Sequence, residues 1–326
     1  MFASELPHIK KGKLYQKFSD KYVSPKGFMP WNKLVIAFAA VGDLKLLKQL
    51  NARLPVRNME PLSDCAYGIH MAAALDAPAI YVQDNLAEAL LHTDVSAMER
   101  PNKVLPAFFI CLPRGLLYDD DGLEICSLLI MENEYFLVAG CKFSGMSKEA
   151  AGKVLDHTEE AGQLKDLRIF AINESGAVIT APTSWSTSTM VDTTNITGTN
   201  YPDLKGDPQK QHDFALTLSK IRRVVKNVIL VYNYQKNLVS SVSVSAGTGF
   251  YKKRLDKTRS PLPTTLLGQN YLIQNTRIKS TNKDTRTRKR PHWRKGHWHT
   301  VLTGAGRKER RLRWFQPVYV NPTLDT

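Results

Sequence analysis

The chain has 326 residues, 43% of them hydrophobic and 9% aromatic, so it is long enough for one or two globular domains and too apolar for wholesale disorder. Its formal net charge of +15 is uneven, because residues 251–326 contain 19 Lys and Arg against 4 Asp and Glu, whereas residues 1–250 contain 26 of each. No apolar run approaches the roughly 18–20 residues of a membrane-spanning helix and the N-terminus lacks the apolar stretch of a signal peptide, which predicts a cytoplasmic protein with no membrane partner.

The first hundred residues predict helices. The stretches 61–78 and 82–93 have apolar residues spaced three or four apart, which is the pattern of an amphipathic helix. We expect about three helices in this region. They begin a neutral α+β body that extends over residues 1–243.

From residue 105 the sequence changes to short apolar runs that are separated by turn residues. The runs AFFICLP, LEICSLLIM, YFLVAGCKF, LRIFAI and AVITAP predict a central antiparallel sheet of about five strands, with hairpin turns at 132–134 and 173–176. A helix over 147–163 is expected to interrupt the sheet. Three aspartates and a glycine at 119–122 predict a turn in preference to an acidic metal site.

Residues 183–211 are rich in Ser, Thr, Asn, Asp and Gly and predict a long loop. The clearest helix follows this loop, because six apolar residues recur at intervals of four and three: Phe214, Leu218, Ile221, Val225, Val228 and Tyr232. We expect this long amphipathic helix to pack in the core. Residues 244–290 are rich in Lys, Arg, Thr and Ser and predict a basic linker that is partly disordered.

The last unit, residues 291–326, predicts a basic and aromatic β-hairpin. HWHTVLT and RRLRWFQPVYVN both alternate, and glycines between them supply a turn. Successive side chains of a strand point to opposite faces, so Trp298 and Trp314 are expected on one face. The other face is expected to carry His297, His299, Arg311 and Arg313.

The composition of this unit is typical of a protein that contacts single-stranded RNA. Lys and Arg neutralise phosphate charge, and flat Trp and His side chains stack on unpaired bases. Trp293 is the tryptophan best placed to stack, whereas Trp298 and Trp314 either stack on bases or form the core of the hairpin. The side chains expected to contact nucleic acid are Arg286, Arg288, Lys289, Arg290, His292, Trp293, Arg294, Lys295, His297, His299, Arg307, Arg311 and Arg313.

The histidines of this unit leave an enzymatic alternative open. A pair of imidazoles beside Arg311 or Arg313 suits metal-free RNA cleavage. The alternative function is therefore a small ribonuclease, with His292, His297 and His299 as catalytic residues, or an RNA-binding regulator that uses the same His- and Arg-rich motif. A zinc site is disfavoured, because no carboxylate or thiol is near and the surrounding charge repels cations. The cysteines have no metal-ligand spacing, and no phosphate-binding loop is present. We therefore expect no metal and no cofactor.

The C-terminal sequence also follows a longer pattern, K-R-P-H-x-R-[RK]-G-H-W-H, then G-x-G, then R-x-R-W and a closing V-[YF]-V-N. The residues that carry it here are Lys289, Arg290, Pro291, His292, Arg294, Lys295, Gly296, His297, Trp298, His299, Gly304, Gly306, Arg311, Arg313, Trp314, Val318, Tyr319, Val320 and Asn321. This pattern resembles the signature of the second described family of type V-A anti-CRISPR proteins, which occur on phages and other mobile elements. It covers about a tenth of the chain.

The resemblance implies that the protein inhibits the type V-A CRISPR effector nuclease by an indirect route. In that route the inhibitor binds the nascent N-terminal polypeptide of the effector and causes loss of its mRNA, in the cytoplasm of the bacterial host cell. The implied partners are this polypeptide and RNA or the ribosome. The leading hypothesis is a non-enzymatic inhibitor whose neutral body binds a polypeptide and whose basic tail contacts RNA or ribosome.

Overall fold

The structure is a computed structural model. It describes residues 77–181, 207–242, 264–276 and 290–321, with short gaps at 96–97, 99, 102–103, 144–145, 164 and 174–177, and also the single positions Cys65, Gly68, Ala72, Thr183 and Trp185. Most of the predicted N-terminal helices and of the predicted loop at 183–211 lie outside these residues. The described part of the chain is α+β, as the sequence predicts.

The described residues contain four α-helices and thirteen strands. The helices are α1 (Asp84–Leu91), α2 (Asn133–Phe143), α3 (Lys148–Glu160) and α4 (Pro208–Tyr234). The strands are β1 (Ala79–Val82), β2 (Thr93–Asp94), β3 (Ala107–Cys111), β4 (Ile125–Glu132), β5 (Leu167–Asn173), β6 (Val178–Thr180), β7 (Val239–Val242), β8 (Thr264–Leu267), β9 (Gln274–Thr276), β10 (His292–Arg294), β11 (Gly296–Thr303), β12 (Glu309–Phe315) and β13 (Val318–Val320).

The central sheet is larger than the predicted one, and it is mixed. It has seven strands in the order β6-β5-β4-β3-β1-β8-β7. β1 lies parallel to both of its neighbours, β3 and β8, and the other pairs are antiparallel. β1 and β8 have four residues each, and β8 lies in the interval that the composition predicts as a linker. Strands this short lack the long alternation by which a sequence reveals a strand.

The prediction of a strand for YFLVAGCKF was wrong, because these residues belong to helix α2. The predicted hairpin at 132–134 is therefore absent, and β4 pairs with β3 and β5. Asn133 fixes the start of the helix, since its backbone N–H donates to Asp166 O at 2.8 Å and its side chain donates to Gln163 O at 3.1 Å. A short apolar run fits a buried helix as well as a strand.

Other predicted elements are confirmed. β5 and β6 form an antiparallel pair around the predicted turn at 173–176. Helix α3 begins after Ser147, whose side chain accepts a hydrogen bond from the backbone N–H of Ala150, as an N-cap does. The turn at 119–122 is held by Asp119, whose Oδ1 accepts from the backbone N–H of Asp121 and Leu123. None of the helices in the described residues has the length and apolarity needed to cross a membrane.

Helix α4 packs in the core, as its apolar stripe predicts. Asp207 caps its start and Pro208 occupies its first turn, where a missing N–H costs nothing. Phe214, Ile221 and Val228 are fully buried in one cluster with the side chains of the central sheet. From here on, "body" means the central sheet, β2 and the helices α1 to α4, with the connections between them. The same cluster includes two tryptophans of the C-terminal hairpin, so the hydrophobic core continues from the body into the hairpin.

Candidate nucleic-acid interface

The predicted C-terminal hairpin is present. β11 and β12 are antiparallel, with Trp298 opposite Trp314. The connection between them contains Gly304 and Gly306, whose positive φ angles of 80° and 68° suit glycine. β11 also pairs in parallel with β2 of the body, so the hairpin is part of a three-stranded sheet in the order β12-β11-β2. We call residues 290–321 the C-terminal segment and the β11–β12 unit the hairpin.

The inner face of the hairpin packs on the body through its two tryptophans. Trp298 and Trp314 are 4% and 6% exposed, and their rings stack with centroids 5.8 Å apart. Trp298 Nε1 donates to Asn227 Oδ1 at 2.8 Å, and Trp314 Nε1 donates to Thr93 Oγ1 at 3.2 Å. The sequence left two roles open for these tryptophans, stacking on bases or packing in the core. The structure shows them packed in the core, where they anchor the hairpin.

Asn227 connects three elements at this contact. It is fully buried on α4, and its Nδ2 donates to Leu90 O at 3.0 Å and to Thr93 O at 3.1 Å. Carbonyls in the last turn of a helix have no partner within the helix, and the Asn227 amide N–H supplies one for Leu90 at the end of α1. The amide oxygen of Asn227 accepts a hydrogen bond from the Trp298 indole. The hairpin is therefore held in a fixed orientation by buried polar contacts as well as by apolar packing.

The outer face of the hairpin carries the four basic side chains that the alternation predicts there. His297, His299, Arg311 and Arg313 are all exposed, and His299 lies directly opposite Arg313. We define the outer face by the residues that alternate with the inward-facing tryptophans. They are His297, His299, Val301 and Thr303 on β11 and Glu309, Arg311, Arg313 and Phe315 on β12.

Phe315 is a member of the outer face that the sequence analysis missed. It is 38% exposed, and its ring stacks on His297 with centroids 5.0 Å apart and an angle of 11°. The guanidinium carbon of Arg313 lies 5.5 Å from the centre of the same ring, and His299 lies at 6.4 Å. The available signal was the alternation, which places Phe315 on the face of Arg313 and not on that of Trp314.

Positive charge in the C-terminal segment is largely uncompensated. The segment contains eight Lys and Arg and one acidic residue, Glu309. Arg311 Nη2 lies 2.9 Å from Glu309 Oε2, and both side chains are exposed. The other basic residues of the segment, all exposed, are Arg290, Arg294, Lys295, Arg307, Lys308, Arg310 and Arg313. Such a concentration of one sign of charge attracts a polyanion. Arg286, Arg288 and Lys289 lie outside the described residues.

Trp293, the expected stacking residue, already has aromatic neighbours within the chain. It lies on β10 in a second small sheet, in the order β10-β13-β9, and is half-buried. Its ring stacks on His92 with centroids 4.6 Å apart, and Tyr319 lies at 5.2 Å. His92 in turn lies 3.2 Å from Glu88, and this hydrogen bond holds the pKa of the Glu88 carboxyl below its ordinary value. Trp293 thus links the C-terminal segment to α1.

The three histidines considered for catalysis are divided between two sheets. His297 and His299 share the outer face of the hairpin, whereas His292 lies on β10 with its Nδ1 2.9 Å from the carbonyl oxygen of Arg290. Within the described residues, no three His, Cys, Asp or Glu side chains are grouped so that they could hold a metal ion. The described site is a basic face with one exposed aromatic ring.

Comparison with known proteins identifies a family. Residues 81–322, well over half of the chain, match the family described as AcrVA2-like, the anti-CRISPR type V subtype A2 family. The matched region includes nearly all of the body, the hairpin and the second small sheet, and so it extends far beyond the C-terminal sequence pattern. No curated protein and no solved structure matches the chain.

Proposed function

The chain belongs to the AcrVA2-like family of type V subtype A2 anti-CRISPR proteins, and we propose that it lowers production of the type V-A CRISPR effector nuclease. In this proposal it acts in the cytoplasm of the bacterial host cell, where it binds the nascent N-terminal polypeptide of the effector and promotes loss of the effector mRNA. The body binds the polypeptide. The C-terminal segment contacts RNA or the ribosome.

The observation that supports the RNA contact most strongly is the division of the hairpin into two faces. Trp298 and Trp314 are buried in contacts with the body. These contacts hold the hairpin in place, so the cations of the outer face are not needed for that purpose. Arg313 and His299 are left exposed on strands that are anchored to the body. Neighbouring cations of this kind release counterions when they bind a phosphate backbone.

A translation reporter tests this proposal. The first codons of the effector are fused to a fluorescent protein in three versions: native, recoded with synonymous codons, and frameshifted so that the RNA is nearly unchanged but the peptide is different. We expect mRNA loss for the native and the synonymous versions and none for the frameshifted version. Loss that follows the nucleotide sequence instead would contradict recognition of the polypeptide.

A charge-reversed variant separates the two halves of the proposal. Arg311→Glu together with Arg313→Glu changes exposed side chains and leaves the inner-face contacts in place. We expect this variant to bind the effector peptide normally but to leave the reporter mRNA intact. Retained mRNA loss would contradict a role for the outer face, and lost peptide binding would contradict a separate role for the body.

One observation favours a second candidate function, cleavage of RNA by the protein itself. His297 and His299 lie on the same face two residues apart, which places their Cα atoms about 6.6 Å from each other, and Arg313 lies opposite His299. One imidazole would take the proton from a ribose 2′-hydroxyl as that oxygen attacks phosphorus. The other would protonate the leaving 5′-oxygen, and Arg313 would stabilise the charged phosphorane.

Incubation of the purified protein with labelled RNA and a chelator tests this candidate. Cleavage that is lost in His297→Ala and His299→Ala but kept in His292→Ala, a matched change on the other sheet, is the expected result of outer-face catalysis. Intact RNA after incubation with the wild type would exclude it.

A further inference from the structure

Phe315 is an exposed aromatic residue on the outer face of the hairpin. It is the last residue of β12, an edge strand of the three-stranded sheet, and 38% of its surface is exposed although it is apolar. The neighbouring apolar side chain of the same strand, Trp314, is buried against the body. The ring contributes little to the core, and it lies among the cations and imidazoles of the outer face.

The groups around Phe315 match the parts of an unpaired nucleotide. His297 stacks on the ring at 5.0 Å and His299 lies at 6.4 Å, so flat side chains are adjacent to one another. The guanidinium carbon of Arg313 lies 5.5 Å from the ring centre, and Arg311, two residues earlier on β12, is on the same face. A base stacks on flat aromatic surfaces, and the phosphates on either side of it pair with guanidinium groups.

We infer that Phe315, together with His297 and Arg313, forms a binding site for an unpaired nucleobase and its phosphate. This inference rests on the proposed function, because it specifies which form of RNA the outer face takes. Bases within a duplex have both faces covered by their neighbours and leave none for Phe315. The ligand class is therefore single-stranded nucleic acid, bound without strong sequence preference. RNA and single-stranded DNA share this chemistry.

Binding measurements on the full chain test the site. Fluorescence anisotropy compares a labelled single-stranded RNA, single-stranded DNA of the same sequence and duplex RNA. Phe315→Ala should weaken binding of the single strand by about 5- to 150-fold, which corresponds to loss of one stacked base, and should leave duplex binding unchanged. Leu302→Ala is the matched control, since Leu302 is also an exposed apolar residue of the hairpin but lies in register with Arg310 on the inner side.

A substitution to tryptophan supplies a signature that a merely structural role does not give. Phe315→Trp should restore single-strand affinity, and its additional indole emission should be quenched when RNA binds, because the base stacks on the ring. Thermal melting of each variant without RNA shows that an affinity change is not a loss of fold. RNA that binds more tightly than DNA would identify contacts to the 2′-hydroxyl, and equal affinities would identify recognition of base and phosphate alone; both results support the site.

The outcomes distinguish this inference from the proposed function. If Phe315→Ala binds single strands as the wild type does while Arg313→Ala binds them more weakly, the outer face contacts phosphate only and the nucleobase site is overturned. Loss of duplex and single-strand binding to the same extent also overturns it. If the wild type binds none of the three nucleic acids, the RNA contact in the proposed function fails together with the site.

Discussion

The body and the C-terminal segment use positive charge in opposite ways. In the body, the Arg100 guanidinium lies against Glu132 and the Lys165 ammonium lies against Glu134, and Lys226 is only 1% exposed. In the C-terminal segment the basic side chains are exposed, and one of them, Arg311, lies near a carboxylate. These three cations of the body therefore belong to the folded structure, whereas the cations of the hairpin remain available to a partner.

This difference follows from where each region obtains its stability. The hairpin docks through apolar burial and the hydrogen bonds of Trp298 and Trp314, so none of its cations is needed to hold it. A basic surface can form on such a scaffold with little cost to folding. Changes to the inner contacts should consequently alter stability, and changes to the outer face should alter binding alone.

Asn227→Ala should have the largest effect. It removes the partner of two backbone carbonyls and of the Trp298 indole N–H, and each buried group left unpaired costs about 1–3 kcal/mol. We expect the free energy of unfolding to fall by roughly 3 kcal/mol, with loss of amide-exchange protection in β11. Asn233→Ala on the same helix is the control, since that amide donates only to Ile229 O one turn away. Equal effects of the two substitutions would show that Asn227 does not hold the hairpin.

Gly296→Ala should have the next largest effect. A methyl group there would lie 2.6 Å from Pro317 Cδ and 2.8 Å from the carbonyl oxygen of Phe315, so the start of the hairpin must shift. Overpacking of this kind costs roughly 2 kcal/mol, measurable by denaturant unfolding. Gly152→Ala, in helix α3 with no atom within 4 Å, should instead raise stability by up to about 1 kcal/mol. A neutral result at Gly296 would contradict the close contact.

Lys226→Met tests the buried charge of the body. Burial lowers the Lys226 pKa to about 8 from 10.5, and the nearby Arg222 adds to the shift. The unfolded chain then binds more protons than the folded chain between pH 8 and 10.5, so the wild type gains stability as pH rises through this range.

The methionine variant lacks this titration. We expect it to be more stable than the wild type by roughly 1 kcal/mol at pH 7, because the gain from removing a buried charge exceeds the loss of the contact with Trp185 O. The advantage should shrink by pH 10. Denaturant unfolding at both pH values measures it, and a difference that does not change with pH would contradict the effect of burial.

Of these substitutions, Arg313→Ala should have the smallest effect. It should weaken RNA binding and leave the free energy of unfolding unchanged. Affinity should fall alike for all RNA sequences, and the slope of log affinity against log salt should flatten by about 0.7 to 1 for the lost phosphate contact. Arg294→Ala and Lys295→Ala should behave in the same way. Lys153→Ala removes an exposed charge from α3 and serves as the control. An unchanged slope in the Arg313 variant would show that this side chain does not contact phosphate.

Much of the hairpin and of helix α4 could be predicted because their patterns are local. Alternation along β11 and β12 was sufficient to assign Trp298 to the inner face and Arg313 to the outer one. The spacing of Phe214 to Val228 was likewise sufficient to predict a buried helix. In both cases one face packs against the core, so the spacing of the apolar residues reveals the type of element and its buried face.

The remainder depends on contacts between distant parts of the chain. β8 joins the central sheet beside β1, about 180 residues earlier in the sequence, and nothing local marks it as a strand. Asn227 is a polar residue on the buried part of helix α4. Its hydrogen bonds with Leu90 and Trp298 join residues that are far apart in the sequence, so the sequence alone does not reveal them. Phe315 resembles a core residue in the sequence, because exposure depends on the docked orientation of the hairpin.

Crosslinking of the full chain to single-stranded RNA, followed by identification of the crosslinked peptides, tests most directly whether the outer face contacts RNA. We expect the crosslinks to fall between His297 and Phe315, on residues of the outer face, and to disappear in the Arg311→Glu, Arg313→Glu variant. Crosslinks confined to the body, with none in the hairpin, would contradict this assignment.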